Sequence, residues 1–383
     1  MKRVRKWATM LLLLCFALTN SPAGEAHAED GKYIETSAKA AVLIERTTGT
    51  VLLQHHADEP LPMASTTKVM TALLALENGR MDEVVTAGRN AYGVPGTSIY
   101  LGLGEKITLR DLLYGLMLAS GNDAAVAIAE HIGGNVENFC RMMTQRASEL
   151  GCTKTVFLTP HGLPKNGHYT TAYDLALITR EAMSHPLFRE IVSTQRASIP
   201  WEGRSCPRIL NNKNKLLSTY EGSTGIKTGY TKAAGRCLVF GACRDGMEVI
   251  GVVLHCADWF EEAARLMDRG FERYTLFTAF AKGETVRLLP VVDGQRQTAG
   301  IAAADKLAAP VPKGVVPQLE VDLPQTIPAG LETHETIGEA RLVAEGQVLA
   351  SVPLVLNETI PRRDYRFELK RITRQWIAYQ MAE

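Results

Sequence analysis

Apolar and polar positions repeat with two periods along this chain, and the switches between them lay out its elements. Ala40-Ala41-Val42-Leu43-Ile44-Glu45 and Thr50-Val51-Leu52-Leu53, joined through Arg46-Thr47-Thr48-Gly49, predict a β-hairpin. Val69-Met70-Thr71-Ala72-Leu73-Leu74-Ala75-Leu76 is apolar enough for a helix buried on all sides, and Pro62 with the small residues Ala64, Ser65 and Thr66 fits its start. A short strand is expected near Asp82-Glu83-Val84-Val85. Thr108 to Leu118 predicts a second largely buried helix, capped by Thr108 with Asp111 at the capping-box position. It stops at Ser120-Gly121-Asn122, and Asp123 to Ala129 restarts a helix at once. Val136 to Leu150, closed by Gly151, and Thr171 to Ser184 predict two more helices. Residues 186–225 read as irregular and polar. From Gly225 the pattern turns to β, and Cys237 to Cys243 and Met247 to Leu254 flank Asp245-Gly246, a strong hairpin signal. Phe260 to Phe277 predicts a returning helix. The fold class is therefore α/β, with helices packed on an antiparallel, hairpin-rich sheet.

The pattern changes near Lys282-Gly283. Short runs such as Val286 to Leu289, Gln318 to Val321 and Gln347 to Val355, set among Pro, Val and Gly, predict a small all-β module over 282–361. The tail differs again: Tyr365, Leu369, Ile372, Trp376 and Tyr379 recur on one helical face, with Arg363, Arg366, Lys370, Arg371 and Arg374 off it. Aromatics on one face and cations on the others suit a helix lying in an anionic membrane interface. The alternative is a helix docked on its own domain.

Composition narrows the class. With 383 residues, 42 Lys+Arg against 41 Asp+Glu and 22% charged residues, the chain reads as a multidomain globular protein and not as a nucleic-acid binder, whose domain would be strongly basic. No internal stretch is apolar for the 18 or so residues that a membrane span needs. The first residues read as a targeting segment: Lys2, Arg3, Arg5 and Lys6, an apolar run from Trp7 to Leu18, then Ala26-His27-Ala28 as a cleavage site. A signal peptide over 1–28 implies an exported protein starting at Glu29. The apolar run continues past Cys15, which argues against a lipoprotein. Six cysteines remain, Cys140, Cys152, Cys206, Cys237, Cys243 and Cys256, enough for three disulfides in any of 15 pairings or for buried free thiols.

The candidate chemistry lies in three short motifs. Ser65-x-x-Lys68 puts a hydroxyl and an amine on one side of a helix start. A serine needs an adjacent base, and a lysine serves as one only when burial or a neighbouring cation keeps it neutral. Ser120-Gly121-Asn122 wedges polar groups between two apolar helices, and Lys227-Thr228-Gly229 precedes a hairpin. Each is weak alone. In this order they match the serine–lysine signature of penicillin-binding proteins and class A β-lactamases, and the sequence resembles a low-molecular-mass penicillin-binding protein, a serine-type D-alanyl-D-alanine carboxypeptidase of peptidase family S11 type. The resemblance runs from about Lys39 to the C-terminus and includes His161-Gly162-Leu163-Pro164, His168 to Asp174 and Asn214-Lys215-Leu216-Leu217.

That resemblance implies a transpeptidase-like catalytic domain with a helical subdomain over 29–281, the small β domain over 282–361 and an amphipathic anchoring helix over 362–383. It implies Ser65 as nucleophile, Lys68 as base and Ser120 as proton relay. Asn122, Lys227, Thr228, Gly229 and Tyr230 then become substrate-binding residues, with the N–H groups of Ser65 and Tyr230 as oxyanion donors. The implied partners are peptidoglycan pentapeptide stems, β-lactams as covalent inhibitors and the outer face of the cytoplasmic membrane; no cofactor or metal is expected. His161 and His168 lack a third ligand at zinc spacing. An extra cation for the substrate carboxylate is missing around Leu254 to Trp259, with Arg265 a distant candidate. The rivals are a β-lactamase, whose E-x-x-x-N pattern is absent, a DD-endopeptidase and a wall-binding or sensor protein without turnover.

Overall fold

The computed structural model describes residues 32–381; the segment read as a signal peptide lies outside them. The β-rich runs at either end of the first 254 residues meet in one sheet. Strands β1 (Ala40–Glu45), β2 (Val51–His55), β7 (Ser223–Thr231), β8 (Gly235–Arg244) and β9 (Met247–Leu254) pair antiparallel in the order β2-β1-β9-β8-β7. Between them in sequence, β3 (Val84–Thr86) pairs β4 (Lys106–Thr108), and β5 (Arg196–Ile199) pairs β6 (Arg208–Asn211). Asp245 and Gly246 both take positive φ, the pattern of a two-residue hairpin turn.

The central sheet is buried on both faces, which explains why its strands read as continuous apolar runs. Val42, Val239, Ile250 and Val252 face one core, together with helices α1 (Lys68–Asn78), α2 (Leu109–Met117), α3 (Asn122–Gly133), α4 (Val136–Glu149), α5 (Ala172–Ala182) and α6 (Pro186–Ser193). Leu43, Leu238, Phe240 and Val253 face a second core closed by Ala263, Leu266, Met267 and Phe271 of α7 (Trp259–Arg273). Thr108 caps α2 as expected, its hydroxyl accepting the Asp111 N–H at 3.1 Å.

Two sequence expectations fail here. The stretch 186–225 is not irregular throughout: it holds α6, whose Phe188, Ile191 and Val192 are buried, and the β5–β6 hairpin. Pro186 sits in the first turn of the helix, where its missing N–H costs nothing. The helix expected to reach Phe277 ends at Arg273, because Tyr274–Phe280 forms strand β10 and pairs with β13 (Leu307–Pro312). That pairing is long-range and leaves no local trace. The remaining strands, β11 (Thr285–Val292), β12 (Thr298–Ala303), β14 (Gln318–Asp322), β15 (Ile327–Pro328), β16 (Thr336–Ala344) and β17 (Gln347–Leu356), form a sheet in the order β14-β16-β17-β12-β11-β15 around a separate core. Helix α8 (Tyr365–Gln380) follows and buries none of its residues, so its aromatic stripe is not docked on this chain.

All six described cysteines are free thiols, four of them buried. The segment before β4 is instead tied to β6 by a buried ion pair. Arg208, at the start of β6, donates to both carboxylate oxygens of Glu105 at 2.6 and 2.7 Å and to the carbonyls of Tyr100 and Pro200, under the Trp201 ring. Removing one partner leaves a buried charge without a counterion. Arg208→Met is therefore expected to lower the unfolding free energy by about 3–5 kcal/mol in urea melts, and Glu105→Leu added to it to recover most of that loss.

Candidate active site

Ser65 rides on a 3₁₀ turn, Ala64–Thr67, that runs straight into α1. The turn is stitched by its own threonines: Thr66 Oγ1 donates to the Met63 carbonyl at 2.6 Å and Thr67 Oγ1 to that of Ala64 at 2.9 Å. Ala64 takes φ +48°, an uncommon value for a residue with a side chain and the kind of strain that functional sites retain. His168 braces the turn from below. Its Nδ1 accepts the Leu158 N–H at 3.0 Å, so Nε2 carries the proton and donates to Thr67 Oγ1 at 3.0 Å. Burial holds His168 down to about 4 and His161 down to about 3, leaving both rings neutral at pH 7. Gly162, at φ +86°, passes so close that a Cβ on it would stand 1.8 Å from the Ala64 carbonyl oxygen.

Lys68 is fully buried, and its Nζ reaches three oxygens: Ser65 Oγ at 2.9 Å, Asn122 Oδ1 at 2.8 Å and the His161 carbonyl at 2.7 Å. Burial, then the charges of Lys227 and Lys213, push its pKa well below the ordinary lysine value. A neutral amine has two N–H donors and one lone pair. The Asn122 and His161 oxygens use the donors, and the lone pair is left for the Ser65 hydroxyl proton.

Asn122 begins α3. Its Nδ2 donates to Pro95 O at 2.7 Å and its N–H to Thr97 O at 2.7 Å, so the Pro95–Thr97 loop fixes the amide that holds Lys68. The buried Asp123 carboxylate anchors the same loop, accepting from Ser98 Oγ at 2.6 Å, Ile99 N–H at 3.1 Å and Leu101 N–H at 3.0 Å. Ser120 lines the cleft at φ +63°, held by Thr97 Oγ1 donating to its carbonyl.

The opposite wall is β7, the free edge of the central sheet. By register, Lys227 and Gly229 share the face of Val239 and Cys237, toward α1, while Thr228 and Tyr230 share that of Leu238 and Arg236. Lys227 is buried and donates only locally, to the Thr228 carbonyl at 3.0 Å; burial and then Lys213 lower its pKa to about 7. A Cβ on Gly229 would lie 2.9 Å from the Ser65 backbone nitrogen, so the strand edge and the serine turn meet at glycine. Ser65, Ser120, Asn122, Thr228, Gly229 and Tyr230 thus line one cleft of about 610 Å³, with Lys68 and Lys227 beneath it.

Cations do line the cleft, but from elements other than Leu254 to Trp259. Lys213, Lys215 and Arg236 line the cleft beside Trp259 and Phe260, and among the described residues no Asp or Glu does. Arg265 is engaged elsewhere, with Glu262 and the Glu35 carbonyl. Arg236 was findable from the hairpin register, which sets it opposite Tyr230; Lys213 was not, because nothing local marks its neighbours. Among the described residues, one group could offer metal ligands, Glu77, Glu181 and His185, and Arg146 already pairs with both carboxylates, at 2.7 and 3.5 Å.

A sheet-and-helix domain with this serine–lysine cleft, followed by a β domain, defines a class, and comparison with known proteins identifies it. Residues 25–258 match the model of the D-alanyl-D-alanine carboxypeptidase family, and residues 274–362 that of the penicillin-binding protein 5 C-terminal domain. The chain belongs to the D-alanyl-D-alanine carboxypeptidase family. It is 32% identical to the D-alanyl-D-alanine carboxypeptidase DacF of Bacillus subtilis over 98% of this chain and all of that one, and 30% identical to DacC of Escherichia coli over 84% of each. The structure of penicillin-binding protein 5 from Haemophilus influenzae superposes with a TM-score of 0.74, at 28% identity, over 86% of this chain and 99% of that one.

The buried lysines carry a pH signature. Between pH about 7 and the ordinary 10.5, the unfolded chain keeps a proton on Lys227 that the folded chain has released, so stability rises with pH across that window. Lys227→Met removes the amine. It is expected to raise the melting temperature most at pH 6, where the buried charge is fully present, and least near pH 10, as read from thermal melts at both values.

Proposed function

We propose that this protein removes the terminal D-alanine from peptidoglycan pentapeptide stems through an acyl-enzyme on Ser65. The observation that carries the reading is the buried amine of Lys68, 2.9 Å from the Ser65 hydroxyl, with its two N–H donors already engaged. Ser65 Oγ attacks the carbonyl between the two D-alanines as its proton passes to Lys68 Nζ. The substrate lies antiparallel along the free edge of β7. Its terminal carboxylate meets Thr228 and the Lys227–Lys213 pair, whose charges the carboxylate neutralises, and Gly229 lets the strand approach the serine turn. The N–H groups of Ser65 and Tyr230 receive the developing oxyanion, each such donor commonly contributing about 3–4 kcal/mol. Ser120 passes a proton to the departing amine, and Asn122 holds Lys68 in line. Water then cleaves the ester, Lys68 again taking the proton, and frees a stem one residue shorter. A β-lactam enters the same path but keeps its leaving group tethered, so the adduct persists.

Intact mass after incubation with benzylpenicillin is expected to show one stable adduct on the wild type and none on Ser65→Ala. D-alanine release from an acyl-D-Ala-D-Ala peptide should fall by about 10³-fold or more in that variant. Rapid loss of penicillin without an adduct would make the protein a β-lactamase, and an adduct without D-alanine release a sensor or an endopeptidase.

We further propose that the chain is exported by its N-terminal segment and held at the outer face of the cytoplasmic membrane by α8. The exposed Leu369, Ile372, Trp376 and Tyr379 and the cations around them support this reading. Liposomes containing anionic lipid are expected to bind the mature chain and not a form lacking Tyr365 to Glu383; equal binding by both would exclude the anchor.

A further inference from the structure

The wall of the cleft facing β7 rises into a rim whose exposed side chains the chemistry at Ser65 leaves unused. Gly96 and Thr97 line the cleft, and on the same loop Tyr92, Tyr100 and Leu103 are exposed by 58, 75 and 57%. From Ala91 to Gly104 the chain carries no charged residue. Large apolar side chains gathered on an uncharged surface beside a cleft mark a place of contact.

The rim is also rigid. Gly93, Gly96, Gly102 and Gly104 predict a slack loop, yet buried charges pin it. The Asp123 carboxylate accepts the N–H groups of Ile99 and Leu101 at 3.1 and 3.0 Å. Between them Tyr100 takes φ +61°, a conformation that a glycine adopts without penalty and a tyrosine does not. Its N–H donates to Ser98 Oγ at 2.8 Å, and its carbonyl accepts from the buried Arg208 at 3.0 Å. The same guanidinium lies under the half-buried Trp201 ring, which adds a further aromatic beside Tyr100. A side chain so exposed does little for the core, so the backbone strain is retained to present a ring to solvent in one fixed place.

The chemistry of the partner follows from that surface. A pyranose has an apolar C–H face that packs on an aromatic ring, and hydroxyls at its edge that pair with groups such as a phenol or the Thr97 hydroxyl. An anionic polymer or an anionic membrane would be met by cations, and residues 91–104 supply none. Continuity with the cleft selects the carbohydrate, because a stem bound along β7 brings with it the sugar chain to which it is joined.

We propose that the Tyr92–Leu103 rim docks the glycan strand that carries the stem peptide, with Tyr100 as its stacking residue. The proposal rests on the carboxypeptidase reading above and adds to it how the polymeric substrate is recognised.

The test uses the mature chain with three probes: glycan chains stripped of their peptides, glycan chains bearing pentapeptide stems, and a soluble acetylated tripeptide ending in D-Ala-D-Ala. The wild type is expected to bind the stripped chains, and Tyr100→Gly to weaken that binding by about 2- to 10-fold, the scale of one aromatic contact. In the same variant kcat/KM on the stem-bearing chains should fall by that factor, while kcat/KM on the tripeptide stays unchanged. Because glycine is at home at this φ, Tyr100→Gly should keep or raise the melting temperature, which the loss of a structural ring would lower. Tyr92→Ser should give the same split between polymer and tripeptide. A wild type that does not bind the stripped chains, or an equal loss on both substrates in both variants, would overturn the docking rim. Self-association abolished by Tyr100→Gly, in place of glycan binding, would make the rim a contact between copies and overturn it as well. Glycan binding that the variants weaken, with no D-alanine released from either substrate by the wild type, would uphold the rim and overturn the carboxypeptidase reading instead.

Discussion

The structure turns on one uncharged amine. Lys68 is buried at the start of a helix that is itself buried from Lys68 to Ala75, and a lysine there is tolerable only without its proton. Burial alone lowers its proton affinity, and Lys227 and Lys213 lower it further by repulsion. The same three amines therefore do two things. They hold the pKa of Lys68 well below that of an ordinary lysine, and they gather positive charge at the cleft. The two effects are coupled, because any anion held beside Lys227 and Lys213 would weaken their hold on Lys68.

Everything nearby serves to keep that amine in place. The Asn122 amide oxygen that accepts one of its N–H donors is held by the Pro95–Thr97 loop, and that loop is held by the buried Asp123. The His161 carbonyl that accepts the other lies next to Gly162, which only a glycine could occupy against Ala64. The His168–Thr67 bond fixes the serine turn from the other side. The Glu105–Arg208 pair joins the loop beyond Gly96 to β6, which ends two residues before Lys213, so the two walls of the cleft are cross-braced by a buried ion pair. The buried ion pair is a costly way to join two segments, and its use here fits a need for fixed geometry more than for stability.

The β domain and α8 stand apart from this machinery. Their sheet surrounds its own core, and the helix presents its aromatic stripe outward. Among the described residues, none of theirs lines the serine–lysine cleft.

Much of the architecture was legible in the order of residues. The buried helix after Ser65, the Thr108 cap, the Asp245-Gly246 turn and the amphipathic tail are all local, set by periodicity and by backbone preferences that a few neighbouring residues dictate. The spacing of Ser65 and Lys68 belongs with them, since three residues on a helical turn must face the same way. What the tertiary structure alone decided are the contacts across the chain. Helix α6 and strand β10 exist because distant segments bury or pair with them, and Lys213, Trp259 and Phe260 reach the cleft from elements whose local sequence carries no mark of it. The charge state of Lys68 is of the same kind. It depends on burial and on two cations, one 145 and one 159 residues away in the chain, and desolvation and Coulomb repulsion act through space, not along the sequence.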